Sequence, residues 1–174
     1  MSAVSLHQLN KFDNMDYSSA LKGVYEHSPW IIQKTLNDRP FNTVEQLHDA
    51  CVSLINDASH DTQLSLIRAH PDLAAKLEQI PSLTTFSQKE QSKAGFSSLP
   101  LVVINQLRNE LARYRQLFGH PFILCLAENS AIDILPILKE RIQSDSNTER
   151  TACLFQISRI GWYRLCSIID PNHS

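Results

Sequence analysis

Glycine is scarce, at 4 residues in 174. Tight backbone approach to a phosphate usually needs glycine, and neither GxGxxG nor GxxxxGK occurs, so a nucleotide-binding loop is excluded. Surplus positive charge is also missing. Lys and Arg number 16 against 18 Asp and Glu, for a net charge of −2. A phosphate backbone would find little to pair with, so nucleic acid is not an expected partner. No run of about 18 apolar residues exists, so no membrane-spanning helix is expected. The opening Met1-Ser2-Ala3-Val4-Ser5 lacks the basic-then-apolar pattern of an export signal, and a cytoplasmic protein is expected. CxxC and HExxH are absent, and the histidines at 7, 27, 48, 60, 70, 120 and 173 show no pair at helical spacing. No metal site is expected. The four cysteines (Cys51, Cys125, Cys153 and Cys166) fall mostly in apolar runs and read as reduced core thiols. A nucleophilic Cys125 is the alternative, although nothing near it in sequence would activate a thiol.

What is present is helical periodicity. Apolar residues make up 43% of the chain and charged residues 20%, an ordinary globular balance. Strand-like alternation is missing. Prolines and polar clusters cut the chain into segments. Thr43-x-x-Gln46 has the form of a capping box, before an apolar face at Leu47, Cys51, Leu54 and Ile55. Asp61 is placed to cap the helix carrying Leu64, Leu66 and Ile67, which Pro71 ends. Short helices are expected over 73–79 and 87–94. Pro100 begins a long helix with Val103, Ile104, Leu107, Leu111, Tyr114 and Phe118 on one face and Gly119 as its stop. A helix from Ser130 or Ala131 to Gln143 contains Pro136, which predicts a kink or a start nearer Asp133. Ser146-x-x-Glu149 resembles another cap, before a last helix reaching Ile169. The expectation is an all-α, single-domain bundle of about eight or nine helices spanning residues 1–174.

Four places have the residue types for chemistry. His70 precedes Pro71 at a helix C-terminus, where the partial negative charge favours a protonated imidazole and the proline stiffens the backbone. That suits a proton donor; a surface helix-stop histidine is the plain alternative. Ser87-Gln88-Lys89-Glu90-Gln91 is a capping box whose free N–H groups and carboxylate could also meet an anionic or ureido ligand. After Gly119-His120-Pro121, the run Phe122-Ile123-Leu124-Cys125-Leu126 is too short for a helix. Its backbone groups need partners, which a planar polar ligand or the protein itself can supply. Arg164 lies on a face with Ile157, Ile160, Gly161 and Ile168, so its guanidinium requires either a ligand anion or an internal ion pair. Arg159 is the weaker candidate.

The order of these elements resembles the OHCU decarboxylase family, which converts 2-oxo-4-hydroxy-4-carboxy-5-ureidoimidazoline to (S)-allantoin in urate breakdown. The likeness runs from Ser28-Pro29-Trp30-Ile31 and Arg39-Pro40-Phe41 through Leu66-Ile67-Arg68-Ala69-His70-Pro71-Asp72-Leu73 and Ser87 to Gly95. It continues over Asn109 to Ile123, Glu149 and the Arg164-Leu165 helix. The resemblance implies a cofactor-free carboxy-lyase, without metal, usually a homodimer. It places the catalytic residues on His70 and Glu90. It places the substrate-lining residues on Pro71, on Ser87 to Gln91 and on Phe122 to Leu126. The family's helix arginine falls on Arg164, with Arg159 as the fallback. Where the family commonly carries an aromatic between the Gly and Pro of its FGxPF element, this chain has His120. The rival reading from another class is a non-catalytic helical module that binds a ligand or a protein.

Overall fold

The computed structural model describes residues 4–74 and 99–170. Eight α-helices are seen among the described residues. They are α1 (Leu6–Lys11), α2 (Asn14–Leu21), α3 (Trp30–Lys34), α4 (Val44–Asn56), α5 (His60–Ala69), α6 (Leu101–Phe118), α7 (Ala131–Arg141) and α8 (Ser146–Ile168). A 3₁₀ turn over Thr35–Asp38 follows α3. A minimal parallel pair joins β1 (Val4–Ser5) to β2 (Ile169–Asp170), in the register Val4 to Ile169 and Ser5 to Asp170. The all-α expectation holds, apart from this short pairing, which two residues per strand cannot announce by alternation. The expected helix over 87–94, and all of that over 73–79 except Leu73 and Ala74, lie outside the described residues. No described helix is long and apolar enough to cross a membrane.

The chain divides into two compact units, residues 1–69 with 157–174, and residues 70–156. The first contains α1 to α5. Here α4 starts where the sequence expects: the Thr43 hydroxyl accepts the Gln46 amide at 3.2 Å. The Gln46 side chain accepts from the amide of Asn42 at 2.8 Å, one residue earlier than a strict box. The α4 face at Leu47, Cys51 and Ile55 is fully buried. The α5 cap differs from expectation, because the Ser59 hydroxyl, not Asp61, accepts the Thr62 amide at 3.2 Å. Tyr17 is buried and donates its hydroxyl to Thr35 at 2.8 Å; Thr35 in turn donates to the Ile32 carbonyl at 2.8 Å.

The second unit is built on α6 and α7, which pack together. Its core is Leu73, Leu107, Leu111, Tyr114, Phe122, Leu124, Ala131, Ile134, Leu138 and Ile142. Gly119 stops α6 in a left-handed conformation, φ 71°, and its amide closes onto the Arg115 carbonyl at 2.9 Å. Pro136 lies inside α7, yet the helix still begins at Ala131 and not nearer Asp133. Asp133 completes a reciprocal cap with Ser130, which fixes that start. The carbonyl deprived of a partner by Pro136 belongs to Ile132, an exposed residue, where water can serve it.

Candidate active site

Helix α5 ends at Ala69, so His70 stands immediately past the C-terminus, as its proline neighbour predicts. The loop that holds it is anchored twice within the second unit. Leu73 enters the core with Phe122 and Leu124. Asp72 accepts the Ala74 amide at 2.9 Å and pairs with Arg115 of α6. His70 and Pro71 are both half-buried. The imidazole thus sits on a loop fixed two or three residues away by an ion pair and a buried leucine.

The segment after Pro121 is non-helical through Cys125, and Phe122, Ile123, Leu124 and Cys125 are all buried. Leu126 begins a turn and is half-buried. Several of its backbone groups are met by protein side chains. The Arg141 Nη1 donates to the Ile123 carbonyl at 2.6 Å. The Gln156 Oε1 accepts the Cys125 amide at 2.8 Å. The Asn129 amide nitrogen donates to the Cys125 carbonyl at 2.9 Å. Loop 70–74 and this segment therefore share one core, which brings His70, Pro71 and Phe122–Leu126 into one unit. Ser87, Gln88, Lys89, Glu90 and Gln91 lie outside the described residues.

His120 is buried, with Nδ1 3.1 Å from the Pro121 carbonyl. Its ring stacks on Phe118 and meets Tyr114 edge-on, with centroids 5.9 Å and 5.6 Å apart. In this chain the imidazole fills an aromatic position in the core.

Behind the segment is a buried polar network that the sequence reading missed. Glu149 is fully buried on α8 and accepts from Arg141 Nε at 3.0 Å and Nη2 at 2.5 Å. The Tyr114 hydroxyl donates to the same carboxylate. The Arg141 guanidinium also covers the Phe122 ring at 4.6 Å. Burial works against the Arg141 charge, but Glu149, Cys153 and Tyr114 together outweigh burial and raise the guanidinium pKa. Burial likewise pushes the Tyr114 hydroxyl well up and the Cys153 thiol up to about 11. A helical spacing signal was available: Glu149, Cys153 and Ile157 recur at i, i+4 and i+8, one face of α8, and all are buried. The expected Ser146 cap is instead Asp145, whose carboxylate accepts the Asn147 and Thr148 amides at 2.9 and 3.0 Å. That frees Glu149 to turn inward.

The helix arginines belong to the other unit. Arg164 donates from Nη1 to the Val24 and Gly23 carbonyls at 3.0 and 3.2 Å, and pairs with Glu26 at 2.9 Å. The internal partner that its position demanded is thus present. Arg159 lies over the Tyr163 ring at 5.7 Å. A groove of about 970 Å³ in that unit, lined among others by Leu6, Phe41, Trp162 and Cys166, contains none of the expected site residues.

Compared with known proteins, residues 10–166 match the OHCU decarboxylase family model. The chain belongs to the OHCU decarboxylase family. It is 32% identical over 172 residues to 2-oxo-4-hydroxy-4-carboxy-5-ureidoimidazoline decarboxylase of Halalkalicoccus jeotgali, covering 99% of this chain and 96% of that one. It is 32% identical over 165 residues to the enzyme of the same name from Haloferax volcanii, covering 95% and 96%. Among solved structures, a crystal structure of (S)-allantoin synthase superposes with a TM-score of 0.78 at 28% identity. That match covers 96% of this chain and 55% of the other, so the chain spans about half the length of that neighbour. As a member of this family the chain is a decarboxylase acting in urate degradation.

Proposed function

We propose that this decarboxylase converts 2-oxo-4-hydroxy-4-carboxy-5-ureidoimidazoline to (S)-allantoin, with His70 handling the proton. The observation that carries the reading is the family match over 10–166 together with a half-buried His70 held just past a helix end. The chemistry needs little more from the protein. The carbon–carboxylate bond breaks, CO₂ leaves, and the electron pair passes into the neighbouring unsaturated bond of the substrate's own ring. The substrate is its own electron sink, so the reaction proceeds without cofactor or metal. A proton then returns to the carbon that becomes the stereocentre, and one-sided delivery from His70 gives a single enantiomer. Pro71 and the Phe122, Ile123, Leu124, Cys125 and Leu126 segment line the substrate, with Ser87, Gln88, Lys89 and Gln91. Glu90 hydrogen-bonds its hydroxyl or ureido group. Arg164 orients its carboxylate and stabilises the developing charge. The working form is a homodimer, as the family resemblance implies, and it works in the cytoplasm, in keeping with its free cysteines.

The test generates the substrate fresh from urate with urate oxidase and the ring-opening hydrolase, then follows circular dichroism. The protein should produce a rapid rise of one allantoin enantiomer, well ahead of the spontaneous racemic background. His70→Ala and Glu90→Ala should each slow that rise by roughly 10²–10⁴-fold. A well-folded wild-type protein that leaves only slow racemic drift would overturn the reading. An unchanged rate and handedness in His70→Ala would remove His70 from its role.

A further inference from the structure

We propose that Arg141, held by buried Glu149, is a positioning residue for the decarboxylation, and that Gln156 shares this task. Together they fix the backbone of the segment that lines the substrate. The inference rests on the reading that Phe122–Leu126 is that lining.

The segment from Pro121 to Cys125 belongs to no helix or strand, so no regular ladder sets its path. Its order must come from side chains. Arg141 meets it in two ways, by donating to the Ile123 carbonyl at 2.6 Å and by covering the Phe122 ring at 4.6 Å. Its other donors, Nε and Nη2, go to Glu149. The guanidinium is therefore locked in one plane, with its remaining edge aimed at the segment. Gln156 stands two turns after Glu149 on α8 and receives the Cys125 amide at 2.8 Å. Stability alone is a weak reason for such a pair. The Glu149 side chain is 0% exposed and that of Arg141 11%. Buried ion pairs of this kind can often be replaced by apolar residues without loss of stability. What apolar residues cannot replace is the hydrogen bond to Ile123. Preorganised lining groups save reorganisation at the moment of reaction, and a displacement of about 1 Å can cost roughly 10²-fold in rate.

The test compares Arg141→Met/Glu149→Met, Arg141→Lys, Gln156→Met and Gln156→Glu in the full chain. Each is assayed with freshly generated substrate beside thermal melting. The double variant should fold with a melting point lowered by a few degrees, since the buried Tyr114 hydroxyl loses its acceptor at a cost of about 1–3 kcal/mol. It should nevertheless lose about 10²-fold in kcat/KM, with lower optical purity of the product. Arg141→Lys should lose less. Gln156→Met should lose activity, and Gln156→Glu, which keeps an acceptor for the Cys125 amide, should recover part of it. Should the double variant fail to fold, the Gln156 pair decides. Folded variants with wild-type kcat/KM and product handedness would overturn the proposal. A second measurement separates it from its premise: backbone amide shifts of the wild-type protein on adding (S)-allantoin. Shifts at Ile123, Leu124, Cys125 and Leu126 combined with unaffected variants would remove only the positioning role. No shift there would overturn the lining reading and the proposal with it.

Discussion

At the scale of single residues, position 161 shows how closely the last helix is fitted. A Cβ on Gly161 would lie 2.6 Å from the Tyr25 hydroxyl, 2.8 Å from its Cζ and 2.9 Å from its Cε1. Tyr25 is buried, so the ring has nowhere to retreat. Gly161→Ala should cost about 1–3 kcal/mol through overpacking, although alanine favours a helix. A denaturant midpoint at or above that of the wild type would contradict this. The nearby arginines pose the complementary question. Arg164 already satisfies two carbonyls and Glu26, whereas Arg159 lies over a tyrosine ring. If Arg164 orients the substrate, Arg164→Ala should raise KM more than Arg159→Ala does. The opposite ranking would transfer the role to Arg159.

At the scale of elements, the stops were more legible than the starts. Gly119 and Pro121 marked the end of α6 and the non-helical segment after it, because a left-handed C-cap and a proline allow little else. Gly119 has φ 71° and open space where a Cβ would go. Gly119→Ala should therefore cost about 1–2 kcal/mol from backbone strain alone, and Gly119→Asn less. Equal thermal stability of all three proteins would show that α6 ends by other means. Starts depend on which of several neighbouring polar residues wins the cap. Ser59 and Asp145 won over Asp61 and Ser146, a competition decided by a single turn of backbone. His70 and the Phe122–Leu126 segment could be located from local stops, whereas the Arg141–Glu149 clamp joins the ends of two helices across a loop. Only the burial face of α8 hinted at it, and a charge on such a face reads at first as a cap.

At the scale of the whole molecule, the same burial that gives the chain its cores sets its limit in alkali. Cys51 and Cys153 are fully buried, and burial raises their thiols to about 12 and about 11. Cys166 is exposed. The core placement holds for Cys51, Cys125 and Cys153 and fails for Cys166, which stands between Leu165 and Ser167, close to Arg164. A thiol whose pKa is higher folded than unfolded binds its proton more tightly in the folded state. Its contribution to stability is complete below the unfolded value, near pH 9, and disappears as pH rises through the folded value. The denaturant midpoint should therefore not respond to these thiols up to about pH 9, then fall between about pH 9 and 12. Tyr17, raised by burial to about 12, adds to the same decline. Replacing Cys51 by valine should flatten the fall, since the new residue has no proton to lose. Below pH 9 a thiol reagent should modify Cys166 first, and Cys51 and Cys153 only on unfolding. Rapid labelling of Cys51 or Cys153 in the native protein at pH 8, located by peptide mapping, would show that these thiols reach solvent without global unfolding. The alkaline decline would then have to come from other groups.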